Sequence, residues 1–302
     1  MYILNKIIVL ILLLGLVACG GAEERKRKYL ERGQQLLLEN NFEKAEVEFK
    51  NVLQIDPKSA DGWYFSGKTQ EAQKKYREAM AAYNEALQLD EKYHAAKTGM
   101  ARIYLFVGVT DKAMQLTAEV LEQEPGYADA KVVHAGGLYR QSQTDQALSE
   151  VRDVLTTDPD NLSALALMSG IYLDMKQPEQ AELLLNDAIK RKDSDELRLL
   201  LVKLYEDTKQ FVVAIPHLQH LIQTHPDNLD YRNRLAIHHD AIGQLAQAEK
   251  VLNTAVDELP DNMSAKISLI QFLAQRRDIK LAHIELDKFI QDDPDNGDLK
   301  LL

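Results

Sequence analysis

A column of alanines restricts this chain more than any other feature. Ala45, Ala79, Ala113, Ala147, Ala181, Ala214, Ala248 and Ala282 follow one another at steps of 34 residues, with a single step of 33 between Ala181 and Ala214. Such a period implies one supersecondary unit repeated in tandem, each copy unable to bury its apolar face without a neighbour. A second column, twelve residues on, reads Pro57, Glu91, Pro125, Pro159, Asp193, Pro226, Pro260 and Pro294. Proline there ends the second helix of each unit, because it cannot continue an intrahelical hydrogen-bond ladder. A third column holds Gly33, Gly67, Ala101, Ala135, Ser169, Val202, Ala236 and Ile270. Its first five residues are small, as a close helix crossing requires.

The pattern is most complete between Trp63 and Ala86, WYFSGKTQEAQKKYREAMAAYNEA, where two helical patterns meet across a turn at Gln73–Tyr76. Gly67, Ala79 and Ala86 sit where the helices touch, and Trp63 and Tyr83 fill the space beside them. This stretch resembles the tetratricopeptide (TPR) repeat, W-x2-L-G-x2-Y…A-x3-F…P. It departs from the pattern at Ser66, Gln70 and Glu91. The resemblance implies an all-α TPR solenoid, a right-handed superhelix of helix-turn-helix repeats. Eight complete repeats fit within 26–296, with first helices of about fourteen residues and second helices of about fifteen. Pro178 opens one second helix at a position where a missing N–H costs nothing. Pro216 falls several residues inside another and either bends it or lies within its early turns. The junction between repeats five and six, Lys190 to Asp195, is one residue short and is the candidate place for a hinge or a change of pitch. Residues 297–302 start a further first helix and then stop. Leu299, Leu301 and Leu302 are therefore expected to leave an uncovered apolar surface, as in a fragment of a longer array; the alternative is a frayed terminus.

The N-terminus reads as a separate unit. Lys6 precedes an apolar run, Ile7 to Leu16, which is too short to span a bilayer and fits a secretion signal. Leu16-Val17-Ala18-Cys19 resembles the bacterial lipobox, which implies cleavage before Cys19 and diacylation of its thiol. Residues 1–18 are then a lipoprotein signal peptide and 19–25 a lipidated tether. The alternative is an ordinary signal peptide or uncleaved anchor with an incidental cysteine. Gly20, rather than aspartate, after the cysteine implies an outer-membrane anchor facing the periplasm in a diderm cell. Cys19 is the one cysteine of the chain, so no intrachain disulfide can form. The basic cluster Arg25 to Lys28, flanked by Glu23, Glu24 and Glu31, is either a solvated helix start or a contact for anionic lipid.

The formal net charge of −11 disfavours nucleic acid as a partner, because a phosphate-binding surface needs an excess of Lys and Arg. By resemblance to the family, first helices line a concave groove through repeat positions two, five, nine and twelve. The candidate groove residues are Tyr64, Lys68, Arg102, Val132, Tyr139, Leu173, Glu206, Asp230 and Asp240. The middle of the groove reads as small and apolar, with room beside Gly136 and Gly170, and the later part as acidic. The carboxylate clamp of chaperone-binding TPR proteins is absent, since Leu30 and Gln34 stand at its first-repeat positions. A protein or peptide ligand of another kind remains the expected partner.

Catalysis is a poor fit. There is no Gly-rich phosphate loop, nucleophile elbow or mature thiol beyond the lipidation site, and no cofactor is implied. Ser142 and Thr144 fall in a turn where capping is the simplest role. Adjacent His238 and His239 point about 100° apart on a helix and cannot chelate one ion together. His239 takes the core tyrosine position, while His217 and His220, three apart, could share a face, yet two ligands are too few for a metal site.

Two readings of function stay open. One is a membrane-tethered scaffold holding another protein in the cell envelope. The other is a module contacting polysaccharide through Tyr64, Tyr139 and Trp63, or an assembly factor for a secretion or pilus apparatus. The lipobox followed by repeats headed by FEKAEVEFKNVLQIDP resembles the TPR lipoproteins of proteobacteria. Some of these accompany exopolysaccharide and exosortase (PEP-CTERM) sorting systems.

Overall fold

The computed structural model describes residues 21–301, so the leader and Cys19 lie outside the described residues. The chain divides after Thr157 into two compact units. The first holds α1 (21–38), α2 (Phe42–Ile55), α3 (Ala60–Ala72), α4 (Tyr76–Leu89), α5 (His94–Phe106), α6 (Thr110–Gln123), α7 (Ala128–Arg140) and α8 (Thr144–Thr157). The second holds α9 (Leu162–Asp174), α10 (Pro178–Arg191), α11 (Asp195–Asp207), α12 (Phe211–Thr224), α13 (Leu229–Ala241), α14 (Leu245–Glu258), α15 (Met263–Phe272) and α16 (Ile279–Asp292). No strand occurs among the described residues. Odd-numbered helices are the first of each repeat and even-numbered ones the second, giving the all-α TPR solenoid. Residues 21–25, read above as tether, are already helical and run into the first repeat.

Sequence chemistry sets the ends of these helices. Asn41, Ser59, Asn161, Ser194, Asn228, Asn262 and Asp278 each accept a hydrogen bond from a backbone N–H of the helix they precede, satisfying a donor that has no partner within the helix. The column prolines stand just beyond the helix ends: Pro57 follows the C-cap Asp56, and Pro125 follows Glu124. Pro178 is the first residue of α10, and α12 runs unbroken across Pro216.

A further column appears only in the structure. Asn40, Lys74, Gly108, Ser142, Lys176, Lys209 and Gly243 all have positive φ, between 56° and 87°, and all stand at the same place between first and second helix. In repeat two, Lys75 N donates to Gln70 O at 2.8 Å and Lys74 N to Glu71 O at 2.9 Å. This is the double bond pattern that closes a helix through one left-handed residue. Ser142 thus serves the turn through its backbone rather than as a side-chain cap. Repeat eight does without the device: residues Leu273–Arg277 widen into a π-helical turn ahead of Asp278.

Packing follows the small-residue column. A Cβ built on Gly67 would lie 2.8 Å from two ring carbons of Tyr83 and 3.2 Å from Ala79 O, and one on Gly99 would lie 2.6 Å from the same ring. Gly33 meets Phe49 in the same way, at 2.5 Å. Aromatic bulk on the second helix therefore fills the space left by glycine on the first. Where the first position grows to Ala135 or Val202, the residue sixteen further on shrinks to Val151 or Leu218, and all four are buried.

One expectation needs correction. Leu299 does not extend an uncovered surface: it opens a short 3-10 turn, is fully buried, and packs with Leu269, Leu273 and Phe289. Asn296 Oδ1 accepts from Leu299 N and so holds this turn down. Leu301 is exposed as expected. The short junction, from Lys190 to Asp195, lies inside the second unit. There Ser194 caps α11, and Arg198 pairs with Asp193 at 2.5 Å.

The Gly67–Tyr83 contact leaves no space for a branched side chain. Gly67→Leu is expected to destabilise the protein by about 1–3 kcal/mol through overpacking, read as a lower chemical-denaturation midpoint. An unchanged midpoint would contradict this packing.

Candidate functional site

First helices bring the predicted groove positions of neighbouring repeats together within each unit. In the first unit, Lys68 and Glu71 from α3 meet Arg102 and Phe106 from α5 around one recess. In the second, Ala166, Gly170 and Leu173 from α9 face Leu200, Lys203 and Asp207 from α11 across a recess of about 770 Å³. Farther along, Asn233, Ile237 and Asp240 from α13 adjoin Gln271 and Arg276.

The side chains differ in what they leave available. Tyr64 is half-buried, its ring 4.8 Å from Phe65, 5.2 Å from Tyr93 and 6.0 Å from Tyr83. Burial pushes its phenol up to about 12. Such a ring belongs largely to an aromatic cluster and makes a poor open platform. Trp63 donates its Nε1–H to Pro57 O at 3.0 Å and packs beside Ala79 and Tyr83. Tyr139 is half-buried and Leu173 lines the second-unit recess. Val132 is 9% exposed and belongs to the core, so it is not a groove contact. The room expected beside Gly136 is taken by a Leu105 methyl, 2.9 Å from where a Cβ would stand. Gly170 does have open space, with no heavy atom within 4 Å of its built Cβ.

The acidic end of the groove is largely answered from within. Glu206 accepts a two-pronged bond from Arg234 Nε and Nη2, at 3.1 and 2.8 Å, and a further bond from His238 Nε2 at 2.9 Å. Partial burial pushes the Glu206 carboxyl up, but the hydrogen bonds from Arg234 and His238 outweigh it and hold the group below its ordinary value. Asp240 pairs with Arg276 at 2.8 Å, and Asp207 with Lys203 at 2.9 Å. Of the predicted acids, Asp230 is exposed. Glu206 and Asp240 are thus not bare charges awaiting a basic ligand. Their partners lie one repeat away, 28 and 36 residues along the chain.

The histidines sort differently from expectation. His238 is the buried one, 1% exposed, with the edge of Phe211 against its ring. His239 instead bonds the Gln244 side chain at 2.8 Å. His217 stands 3.4 Å from Arg198 Nη1, and burial, with that cation, pushes it down. His220 and His225 both face Asp195, at 3.9 and 2.7 Å. No group of three or more metal-binding side chains assembles among the described residues. Lys26, Arg27 and Lys28 are paired with Glu23, Asp56, Glu24 and Glu31, which makes the basic cluster a neutralised helix start. No helix among the described residues is long and apolar enough to cross a membrane.

One buried cation was missed in the sequence reading. Arg232 occupies the place that Trp63 holds in repeat two and is 3% exposed. It donates to Pro226 O at 2.8 Å, as Trp63 does to Pro57, and pairs with Glu258. The shared offset of six residues to a column proline is the signal that could have found it.

Helix pairs of this length, joined by a left-handed residue and stacked at a 34-residue period, define a repeat scaffold. Tetratricopeptide-repeat profiles match residues 30–94, 70–135, 138–204 and 205–269. The chain belongs to the tetratricopeptide-repeat family. It is 24% identical over 260 residues to the human protein O-mannosyl-transferase TMTC3, a match covering 84% of this chain and 25% of that protein. The chain thus spans a quarter of that relative's length. Among solved structures it is similar to a thermophilic TPR protein of Thermus thermophilus, with 22% identity and a TM-score of 0.53 over 60% of this chain and 98% of that one. It is also similar to the APC/C hetero-tetramer Cut9–Hcn1, with 13% identity and a TM-score of 0.54 over 90% of this chain and 54% of the other. Both likenesses are of fold.

The Glu206 cluster predicts a pH dependence. A depressed carboxyl contributes stability that is present above its unfolded pKa and lost as pH falls through the folded one. Glu206→Gln is expected to cost about 1–3 kcal/mol at pH 7, since Arg234 and His238 lose the carboxylate charge and Arg234 loses one of the two oxygens that accept from it. The difference from wild type should shrink as pH is lowered through the carboxylate range, measured by denaturation at a series of pH values. A difference independent of pH would contradict the assignment.

Proposed function

We propose that this chain is a lipid-anchored, non-enzymatic TPR scaffold of the cell envelope. It is tethered through Cys19 to the outer membrane, faces the periplasm, and holds a segment of a partner protein along its first helices. The observation that carries the reading is the recess around Gly170. Ala166, Leu173 and Leu200 give it apolar surface, and of the four charged residues that line it, Asp174, Lys176, Lys203 and Asp207, the last two pair with each other. Such a surface selects by shape and apolar contact. The anchor rests on Leu16 to Cys19, and the link to exopolysaccharide or exosortase-associated complexes rests on resemblance to lipoproteins of that architecture. The transferase activity in the name of the human relative stays with that protein, of which this chain matches a quarter. The polysaccharide reading is disfavoured by the packing of Tyr64 among Phe65, Tyr83 and Tyr93.

Two experiments test the parts separately. Cys19→Ala is expected to leave the precursor unprocessed and without diacyl label; normal labelling would refute the anchor. Each acyl chain contributes about 0.8 kcal/mol per buried CH₂, so two or three hold a protein durably at a membrane. For the groove, proteins co-purified from native membranes are compared between wild type, Gly170→Phe and Leu173→Arg. Loss of the same partner from both variants, with the thermal midpoint kept, is expected. Retention of every partner, with Tyr64→Ala abolishing retention on polysaccharide, would replace the scaffold reading by the sugar-contact one.

A further inference from the structure

The recess in the first unit differs in charge from the rest of the groove. Tyr83, fixed between Gly67 and Gly99, donates its hydroxyl to Glu71 Oε2 at 2.6 Å. Glu71 in turn holds Arg102 Nη1 at 3.0 Å. That pair sums to zero, and the guanidinium keeps donors beyond the one given to Glu71. Lys68, on the same face of α3, has no ion-pair or hydrogen-bond partner among the described residues. Its counterpart in the second unit, Lys203, is tied to Asp207. Beside Lys68 lies bare aromatic surface: Phe106 is 62% exposed, its ring 4.8 Å from that of Tyr76. In a chain of net charge −11, this recess therefore offers one unpaired cation next to an aromatic wall, with Asp129 within electrostatic reach of Arg102 but not bonded to Lys68.

We propose that the recess binds an internal segment of a partner protein carrying an Asp or Glu side chain within one or two residues of an aromatic one. The carboxylate sits against Lys68 and the outer edge of Arg102, and the ring lies on Phe106 and Tyr76. The proposal rests on the scaffold reading of the groove and names the chemistry of one part of it. A side-chain carboxylate fits better than a chain terminus, because the recess is one stretch of an open groove through which a bound segment runs. The ring contact carries affinity, and the charge sets orientation and suppresses basic competitors.

The test uses the full-length protein in detergent micelles and acetylated, amidated twelve-residue peptides of glycine and serine, read by fluorescence anisotropy. The reference peptide carries aspartate, serine and phenylalanine at its centre. Companion peptides replace the aspartate by asparagine or lysine, or the phenylalanine by serine. A further one lacks the aspartate and ends in phenylalanine with a free carboxylate. The reference peptide is expected to bind, the asparagine and serine versions about tenfold more weakly, and the lysine version not measurably. Lys68→Glu and Phe106→Ser should each weaken the reference peptide about tenfold, Lys68→Met less than Lys68→Glu, and added salt should weaken it further. Lys68 and Phe106 are exposed, so these variants keep the fold. Failure of the reference peptide to bind, indifference to Lys68→Glu, equal binding of the lysine version, or tighter binding of the free-terminus peptide would each overturn the proposal. Gly170→Phe separates the two readings. Peptide binding that persists in this variant while native partners are retained leaves this recess standing and refutes the one at Gly170. Loss of partners in this variant, with a reference peptide that never binds, does the reverse.

Discussion

A phenol ring pressed between two glycines connects the core of the first unit to its groove. Tyr83 fits only because Gly67 in its own repeat and Gly99 in the next lack side chains, and burial pushes its hydroxyl far above the usual range. Kept neutral, the hydroxyl can donate, and its acceptor is Glu71 on the groove side. Glu71 then fixes Arg102 on the following first helix. One steric fit thus becomes a polar arrangement two side chains away, at the surface where a ligand would lie. A substitution that dislodged the ring would alter both the stacking of repeats two and three and the charge pattern of the recess above them.

In the second unit, charge rather than aromatic bulk joins one repeat to the next. Glu206 on α11 is held by Arg234 and His238 on α13, and Asp240 on α13 by Arg276 beyond α15. These pairs cross between successive first helices, and Glu206 is only part-exposed, so breaking one partner leaves the other incompletely solvated. Arg232 illustrates the same exchange deeper in. It takes the place of a tryptophan, keeps the bond to a proline carbonyl, and adds an ion pair to Glu258 that the indole could not make.

Much of the fold was legible because helix packing leaves a strict trace in side-chain size. The alanine and proline columns needed no partner to interpret. The left-handed turn column was invisible for the opposite reason: Asn40, Lys74, Gly108 and Ser142 share a backbone conformation imposed by hydrogen bonds, not a residue type. The groove was half legible. Repeat positions told which residues share a face: Lys68 and Arg102 line one recess, Leu173 a second and Asp240 a third. They did not tell how far a side chain sinks, as with Val132, or which residue of the adjacent repeat reaches it, as with Glu206. The exchange of His239 for His238 has the same origin. One step along a helix turns a side chain about 100°, which decides between core and surface at the edge of a buried face.

The way the charges are satisfied bears on what a groove of this kind can recognise. An acid that already holds a neighbouring arginine gains little from a ligand cation, because the incoming charge must displace a partner of equal sign at a preformed geometry. Around the paired acids of the second unit, recognition therefore falls to apolar surface and to space, as where Gly170 leaves its helix bare, while the exposed Asp230 stays open to a cation. The first unit differs in the sign of the charge it leaves open. Among the described residues no acid pairs with Lys68, so an exposed charge of low intrinsic worth gains weight from the absence of competition. Selectivity in a self-neutralised scaffold thus depends less on how many charges line the groove than on which few the repeats leave unpaired.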